Sequence, residues 1–251
     1  MKKTCVLAAT VGVLFAGVTP DALADTIKMH GATTVLDVVV TPSRAVVEKS
    51  TGHTLEIVAN ATGKGLVDLV HGKAEVAMVS EPLDIAVVAA KVAGETIDPK
   101  TLTFNVVRND EIVFVVHPSN PVTKLTLEQL GDIHTGKITN WKQVGGKDMA
   151  ITVYSDAVTG GTRAMIKKLV MGGAEYASSV KSLTSVSRVP PVVAKDESSI
   201  GGVGKGFTEG VAVKLVQSSK IERPLGFVTL GEPSAKVRQM IEAFKTTVVR
   251  K

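Results

Sequence analysis

Three short segments of this sequence combine threonine and glycine in a way that can hold an anion. They are Gly31-Ala32-Thr33-Thr34, Thr62-Gly63-Lys64-Gly65 and Thr159-Gly160-Gly161-Thr162-Arg163, each leading toward a stretch with helical patterning. A helix N-terminus presents unpaired backbone N–H groups and the positive end of its dipole. Glycine lets that backbone come close to a ligand, and threonine adds a hydroxyl. One such turn is an ordinary capped helix start. Three in one chain, two from its first half and one from its second, predict an anion held by neutral dipoles with Arg163 nearby.

Other chemistry finds less support. The stretch Gly131 to Ile138 nearly spells a phosphate-binding loop, but Ile138 stands where Ser or Thr must meet magnesium. His30, His53, His71, His117 and His134 lack the i, i+4 spacing of a helical zinc site and read as surface or loop histidines, His30 being the one next to an anion turn. Gly201 to Gly206 has the wrong spacing for a dinucleotide fingerprint and reads as a flexible turn. Glu81 and Asp156 could be imagined as an acid/base pair, yet no nucleophile elbow, triad order or metal set accompanies them. Glu81 could equally be an ion-pair partner of Arg163 or Lys64. The single cysteine, Cys5, lies before the apolar run of the N-terminus, so thiol and thiolate chemistry drop out of the mature chain. No metal and no cofactor are expected.

The elements needed to position the three turns are legible as alternating strands and helices. Thr26–Met29, Leu55–Ala59 and Val76–Val79 read as strands, with helices at Pro42–Lys49 and Lys64–Val70 between them. A second unit follows: a strand over Ile112–His117, a helix over Thr126–Leu130 capped by Thr126, a strand at Ile151–Tyr154 and a helix at Gly161–Val170. A strand at Leu225–Leu230 and a helix at Ser234–Thr246 close the chain. This alternation predicts an α/β fold with mostly parallel sheets. In such sheets, ligands bind at the carboxyl ends of strands, where these turns fall.

Lys2-Lys3, an apolar run from Cys5 to Val18 and Ala22-Leu23-Ala24 have the order of a secretory signal, with cleavage expected after Ala24. The run is shorter than the roughly 20 residues of a membrane span, so the mature chain is expected in the periplasm, not embedded in a membrane. Its 227 residues suffice for two lobes. The net charge of +5 becomes +4 without Lys2, Lys3 and Asp21, with no Lys/Arg cluster dense enough for nucleic acid. Aromatic residues make up only 4% of the chain, Trp141 being the one tryptophan, which argues for a small polar ligand over one stacked on rings.

Ordered blocks along nearly the whole mature chain resemble the periplasmic phosphate-binding proteins of bacterial ABC transporters. They are Gly31 to Val35, Thr62 to Leu66, Glu75 to Leu83, His117 to Pro121, Leu125 to Leu127, Thr135 to Trp141, Gly161 to Arg163 and Arg223 to Leu225. The resemblance implies a two-lobed, type II periplasmic binding protein with a hinge between the lobes. Lobe 1 would comprise residues 25–107 and 221–251, and lobe 2 residues 108–220. It further implies a ligand site built from Ala32, Thr33, Thr34, Thr62, Gly63, Ser80, Glu81, Gly160, Gly161, Thr162 and Arg163. Glu81 falls where the family often has an aspartate that accepts a hydrogen bond from a protonated phosphate oxygen. Two positions depart from the pattern: Asp156 stands where the family often carries arginine, and Gly160 where it carries serine. The implied protein is a monomer that captures phosphate, or another oxyanion, oxyacid or small organic acid, without turnover. It would dock on an ABC permease or on a sensor or chemoreceptor ectodomain. A phosphate-ester hydrolase is the remaining alternative.

Overall fold

A computed structural model describes residues 25–249, so the expected leader, residues 1–24, lies outside the described residues. Strand β1 (Thr26–Gly31) runs into helix α1 (Thr33–Val35), which continues through a π-helical turn at Leu36–Val40 into α2 (Thr41–Thr51). The helix expected from Pro42 thus begins nine residues earlier, at the anion turn itself. It stops at Gly52, whose φ of 72° is the left-handed conformation that glycine adopts without cost. Then come β2 (Thr54–Ala59), α3 (Thr62–Val70), β3 (Val76–Val79), α4 (Leu83–Val92) and the long strand β4 (Leu102–Val116). The chain continues through α5 (Leu127–Thr135), β5 (Thr152–Ser155), α6 (Gly161–Leu169), β6 (Lys181–Ser182), α7 (Val189–Val193) and β7 (Ser199–Gly204). It ends with the long strand β8 (Lys214–Leu230) and helix α8 (Ala235–Val249).

The strands join in one sheet of order β2-β1-β3-β8-β4-β7-β5-β6. Strand β1 pairs in parallel with β2 and β3, and β5 in parallel with β6 and β7. The antiparallel pairings all involve β4 or β8. Those two strands pair with each other from Leu102↔Leu230 to Val116↔Lys214, with register shifts between Val106 and Arg108 and between Ile112 and Phe114. One half of this ladder belongs to the β1–β3 lobe and the other to the β5–β7 lobe. The expected two-lobed α/β architecture is therefore present, its two parallel sheets fused by a shared pair of crossing strands.

Each lobe buries both faces of its sheet, which is why its central strands read as unbroken apolar runs. In β3, Val76 and Met78 pack with Ile27, Val47, Phe227 and Phe244 on one face, while Ala77 and Val79 pack with Leu66, Leu69 and Val228 on the other. In the second lobe, Phe114, Trp141, Ile166 and Ile200 form one core and Val113, Val115, Val189 and Val203 the other. Trp141 is fully buried and donates its indole N–H to the Ser198 carbonyl at 2.8 Å, a packing anchor as expected.

Two expectations are corrected. Gly201–Gly206 is no flexible turn: Ser199–Gly204 is the fully buried strand β7. A Cβ at Gly201 or Gly202 would overlap Val189 or Ile166, so glycine here admits close packing against the strand. His134 is neither on the surface nor in a loop; it lies in α5, buried, with Nδ1 2.7 Å from the Leu130 carbonyl.

Candidate anion-binding site

The three turns meet. Helices α1, α3 and α6 begin after Ala32, Ala61 and Gly160, and in none of them does the capping residue's side chain satisfy the free N–H groups. Their N-terminal turns face one small cavity between the lobes, lined by Ala32, Thr33, Thr34, Ala61, Thr62, Ser80, Asp156, Gly160, Gly161, Thr184, Ser185 and Val186. About 10 Å³ of it is open to the centre of a water-sized sphere, which is room for roughly one such sphere. A sugar or nucleobase does not fit in it.

Of the residues expected at the site, Ala32, Thr33, Thr34, Thr62, Ser80, Gly160 and Gly161 line the cavity. Thr162 and Glu81 lie buried immediately behind that lining. Gly63 gives its N–H to the Thr159 carbonyl at 3.1 Å, a hydrogen bond that ties α3 to the opposite lobe. Arg163 turns away: its guanidinium lies 3.8 Å from the centre of the Tyr176 ring and donates to Ser182 Oγ at 3.1 Å. Lys64 is exposed, and His30 pairs with Asp68 at 2.8 Å.

The charge behind the cavity comes from a residue quoted above only as part of a matching block. Arg223, on β8, is buried and donates from Nε and Nη2 to Asp110 Oδ2 of β4 at 3.0 and 2.8 Å. Its Nη1 donates to Thr162 Oγ1 at 2.7 Å and its Nη2 reaches Thr34 Oγ1 at 3.5 Å. One guanidinium therefore holds a threonine from each lobe. Nothing local in the sequence pairs Asp110 with Arg223, since 113 residues separate them. Ala61, Thr184, Ser185 and Val186 were also unforeseen. The last three precede α7 in a segment whose serines and threonines carry no glycine signature.

Glu81 is fully buried, and its Oε2 accepts from Ser80 N at 3.0 Å, Ser80 Oγ at 2.8 Å and Thr62 Oγ1 at 3.2 Å, whereas Oε1 has no partner. Burial pushes its pKa up to about 7, against the opposing pull of these hydrogen bonds and of Arg223. Gly161 is required here, because any Cβ would overlap the Glu81 carboxylate. Asp156 is buried too, and burial raises its pKa to about 6 although Ala157 donates its N–H at 2.7 Å and Arg223 and Arg163 lie near. Among the described residues, no cluster of three or more His, Cys, Asp or Glu is placed to hold a metal ion.

Two α/β lobes joined by crossing strands, with helix N-termini from both facing one closed cleft, define the periplasmic-binding-protein class of fold. Residues 16–243 match the PBP superfamily domain, and the chain belongs to that superfamily. It is 27% identical over 206 residues to the phosphate-binding protein PstS of Bacillus subtilis (strain 168), covering 82% of this chain and 66% of that one. It is 25% identical over 218 residues to PstS of Staphylococcus saprophyticus, covering 85% and 65%. The chain thus spans just under two thirds of the length of these two curated relatives. Among solved structures, a Clostridium perfringens substrate-binding protein with bound phosphate superposes with a TM-score of 0.77 at 25% identity, over 90% of this chain and 97% of that one. An ABC-type phosphate transport receptor from Vibrio cholerae gives 0.66 at 25%, over 88% and 93%. The resemblance read from the ordered sequence blocks is borne out. No helix among the described residues is long and apolar enough to cross a membrane.

Proposed function

We propose that this chain is a periplasmic solute-binding protein that captures a small oxyanion, phosphate first, and delivers it to an ABC-type permease. The observation that carries this reading is the convergence of three helix N-termini from two lobes on one cavity, backed by the Arg223 guanidinium. Backbone N–H groups and dipole ends of this kind stabilise an anion without requiring a facing counter-ion. Hydroxyls of Thr34 and Thr162, whose oxygens accept from Arg223, keep their hydrogens for the ligand. The names of the relatives, phosphate-binding proteins, support phosphate as the ligand.

We place the division between lobes at residues 107/108 and 220/221, close to where the β4–β8 ladder passes from one core to the other, between Val107 and Ile112 on β4 and between Ile221 and Leu225 on β8. Ligand closes the lobes about these strands, and the closed form docks as a monomer. Residues 1–24 serve as the export signal. A second reading keeps the fold and changes the ligand to another small oxyacid. It is favoured by Asp156, a buried acidic residue of the cavity lining. Titration of the stripped protein with phosphate, sulfate, arsenate, arsenite and small carboxylates separates the two readings. Heat with phosphate alone supports the first, and heat only with another member of the series supports the second.

A further inference from the structure

Helices α4 and α6 come from different lobes and start beside the same carboxylate. The first begins two residues after Glu81, and the second at Gly161, which packs on the Glu81 side chain. Between them lies a cavity of about 490 Å³, separate from the small one that the three turns face. Sites for small organic molecules span about 300–1,000 Å³. The α4 wall is an apolar face of Ile85, Val88, Ala89 and Val92, at the i, i+3, i+4, i+7 spacing of one helix stripe. Ile85 reaches into the core of the second lobe. Val88 and Val92, however, and Val158 from the opposite wall, are each more than half exposed. Scattered surface valines would mean nothing, but here apolar side chains from both lobes stay open to water around one concave surface.

The α6 wall carries charge. Arg163, Lys167 and Lys168 line it with Glu175, and Asp84 stands on the α4 side. Lys167 is taken up by Glu175, while among the described residues neither Arg163 nor Lys168 has a carboxylate at ion-pair distance. The Arg163 guanidinium lies over the Tyr176 ring, and the Tyr176 hydroxyl donates to the Arg163 carbonyl at 3.0 Å, so this cation is held in place. We infer that the α4–α6 cavity is a second ligand site, for a small amphipathic organic anion. Its apolar body covers Val88, Val92 and Val158, and its anionic group meets Arg163 and Lys168, away from Asp84. A neutral apolar solute would leave those two cations unmet, and an inorganic anion would leave the valines uncovered. Because the two walls belong to different lobes, the occupant favours their closed arrangement and, by linkage, tightens the small cavity's hold on its own ligand. Only this coupling rests on the reading of the small cavity as an oxyanion site.

The test is fluorescence titration with two dyes of similar ring system, the anionic anilinonaphthalene sulfonate and the neutral phenylnaphthylamine, with and without saturating phosphate. The wild-type chain is compared with Val88→Glu and Lys168→Glu, both at exposed positions, thermal melting confirming that each variant is folded. The wild type is expected to bind one sulfonate per chain, and each variant to bind it about tenfold more weakly, since each sets a like charge against the anion. The neutral dye should bind less tightly, and Lys168→Glu should not weaken it further. Phosphate should tighten sulfonate binding about fivefold or more, within the ordinary range of coupling between sites. A wild type that binds neither dye, or folded variants that bind the sulfonate as the wild type does, overturn the site. Equal affinity for the two dyes overturns the class of ligand. Phosphate bound with no change in dye affinity overturns the coupling across the lobes. Absence of phosphate binding, with the dye responses as expected, overturns the oxyanion reading and leaves the second site standing.

Discussion

Arg223 and Asp110 face each other across the two long strands, as register partners and as an ion pair at 2.8 Å, at the place where the chain passes between lobes. Their side chains are 0% and 8% exposed. This pair both braces the crossing point and aims the remaining guanidinium nitrogens at Thr34 and Thr162, so the binding site and the connection between lobes share one residue. Gly204 makes room for it: a Cβ there would press on Arg223 and Asp110.

Removing one member of a buried ion pair strands the other. Asp110→Ala is therefore expected to destabilise the folded chain by about 3–5 kcal/mol, read by urea denaturation. Arg223→Met in combination with Asp110→Leu should recover most of that loss, since it removes both charges. The double variant should nevertheless bind no anion, because nothing then sits behind the two threonines.

Thr34→Val keeps the shape of the side chain and deletes its hydroxyl. Hydrogen bonds to charged groups are worth about 1.5–3 kcal/mol, so ligand affinity should fall about ten- to hundredfold, measured calorimetrically, with a much smaller change in melting temperature. A loss of stability as large as the loss of binding would make Thr34 a structural residue instead.

Glu81 links stability to pH. Its folded pKa of about 7 lies above the ordinary 4.5, so the native state holds a proton that the unfolded state releases. Its contribution is fully present below pH 4.5 and is lost as pH rises through 7. Asp156 acts in the same direction between 3.8 and about 6. His134, held near 4 by burial, opposes both by adding stability as pH rises toward 6.5. Above that pH it is silent, so the ligand-free protein should lose stability between pH 6.5 and 8. Glu81→Gln should abolish most of that loss; denaturation midpoints across this window measure it.

Gly161→Ala sets a Cβ against the Glu81 carboxylate. Overpacking of this kind costs about 1–3 kcal/mol, and relief requires moving either Glu81 or the start of α6. Loss of ligand binding is expected even where the variant folds. Combining it with Glu81→Ala should restore stability but not the wild-type preference among anions, as read by melting and titration.

Much of this arrangement was legible in the residues themselves. The three glycine–threonine turns carry a local signal, because close approach and helix starts depend on a few adjacent residues. The strands at Thr26, Thr54, Val76 and Thr152 are short and bounded by turn residues, and their reading was correct to within a residue or two. The long strands were half missed. Leu102–Glu111 and Lys214–Pro224 are rich in charged and polar residues, since near the crossing they leave the cores that make strands look apolar. Gly201–Gly204 was misread for the opposite reason: its burial is imposed by Val189 and Ile166, which press on it from distant segments. Arg163 carried the nearest positive charge in the sequence, but its helical position points it at Tyr176. Arg223, from the far end of the chain, supplies the charge in its place.

The most direct test of the account is calorimetric titration of residues 25–251, unfolded and refolded to strip any carried ligand, with phosphate at pH 6 and then with sulfate. One phosphate bound per chain, abolished by Arg223→Met and with no heat from sulfate, is the predicted result. A stripped, folded protein that is silent to phosphate and responds to an uncharged or aromatic solute would contradict the assignment of the cavity between the lobes as an oxyanion site.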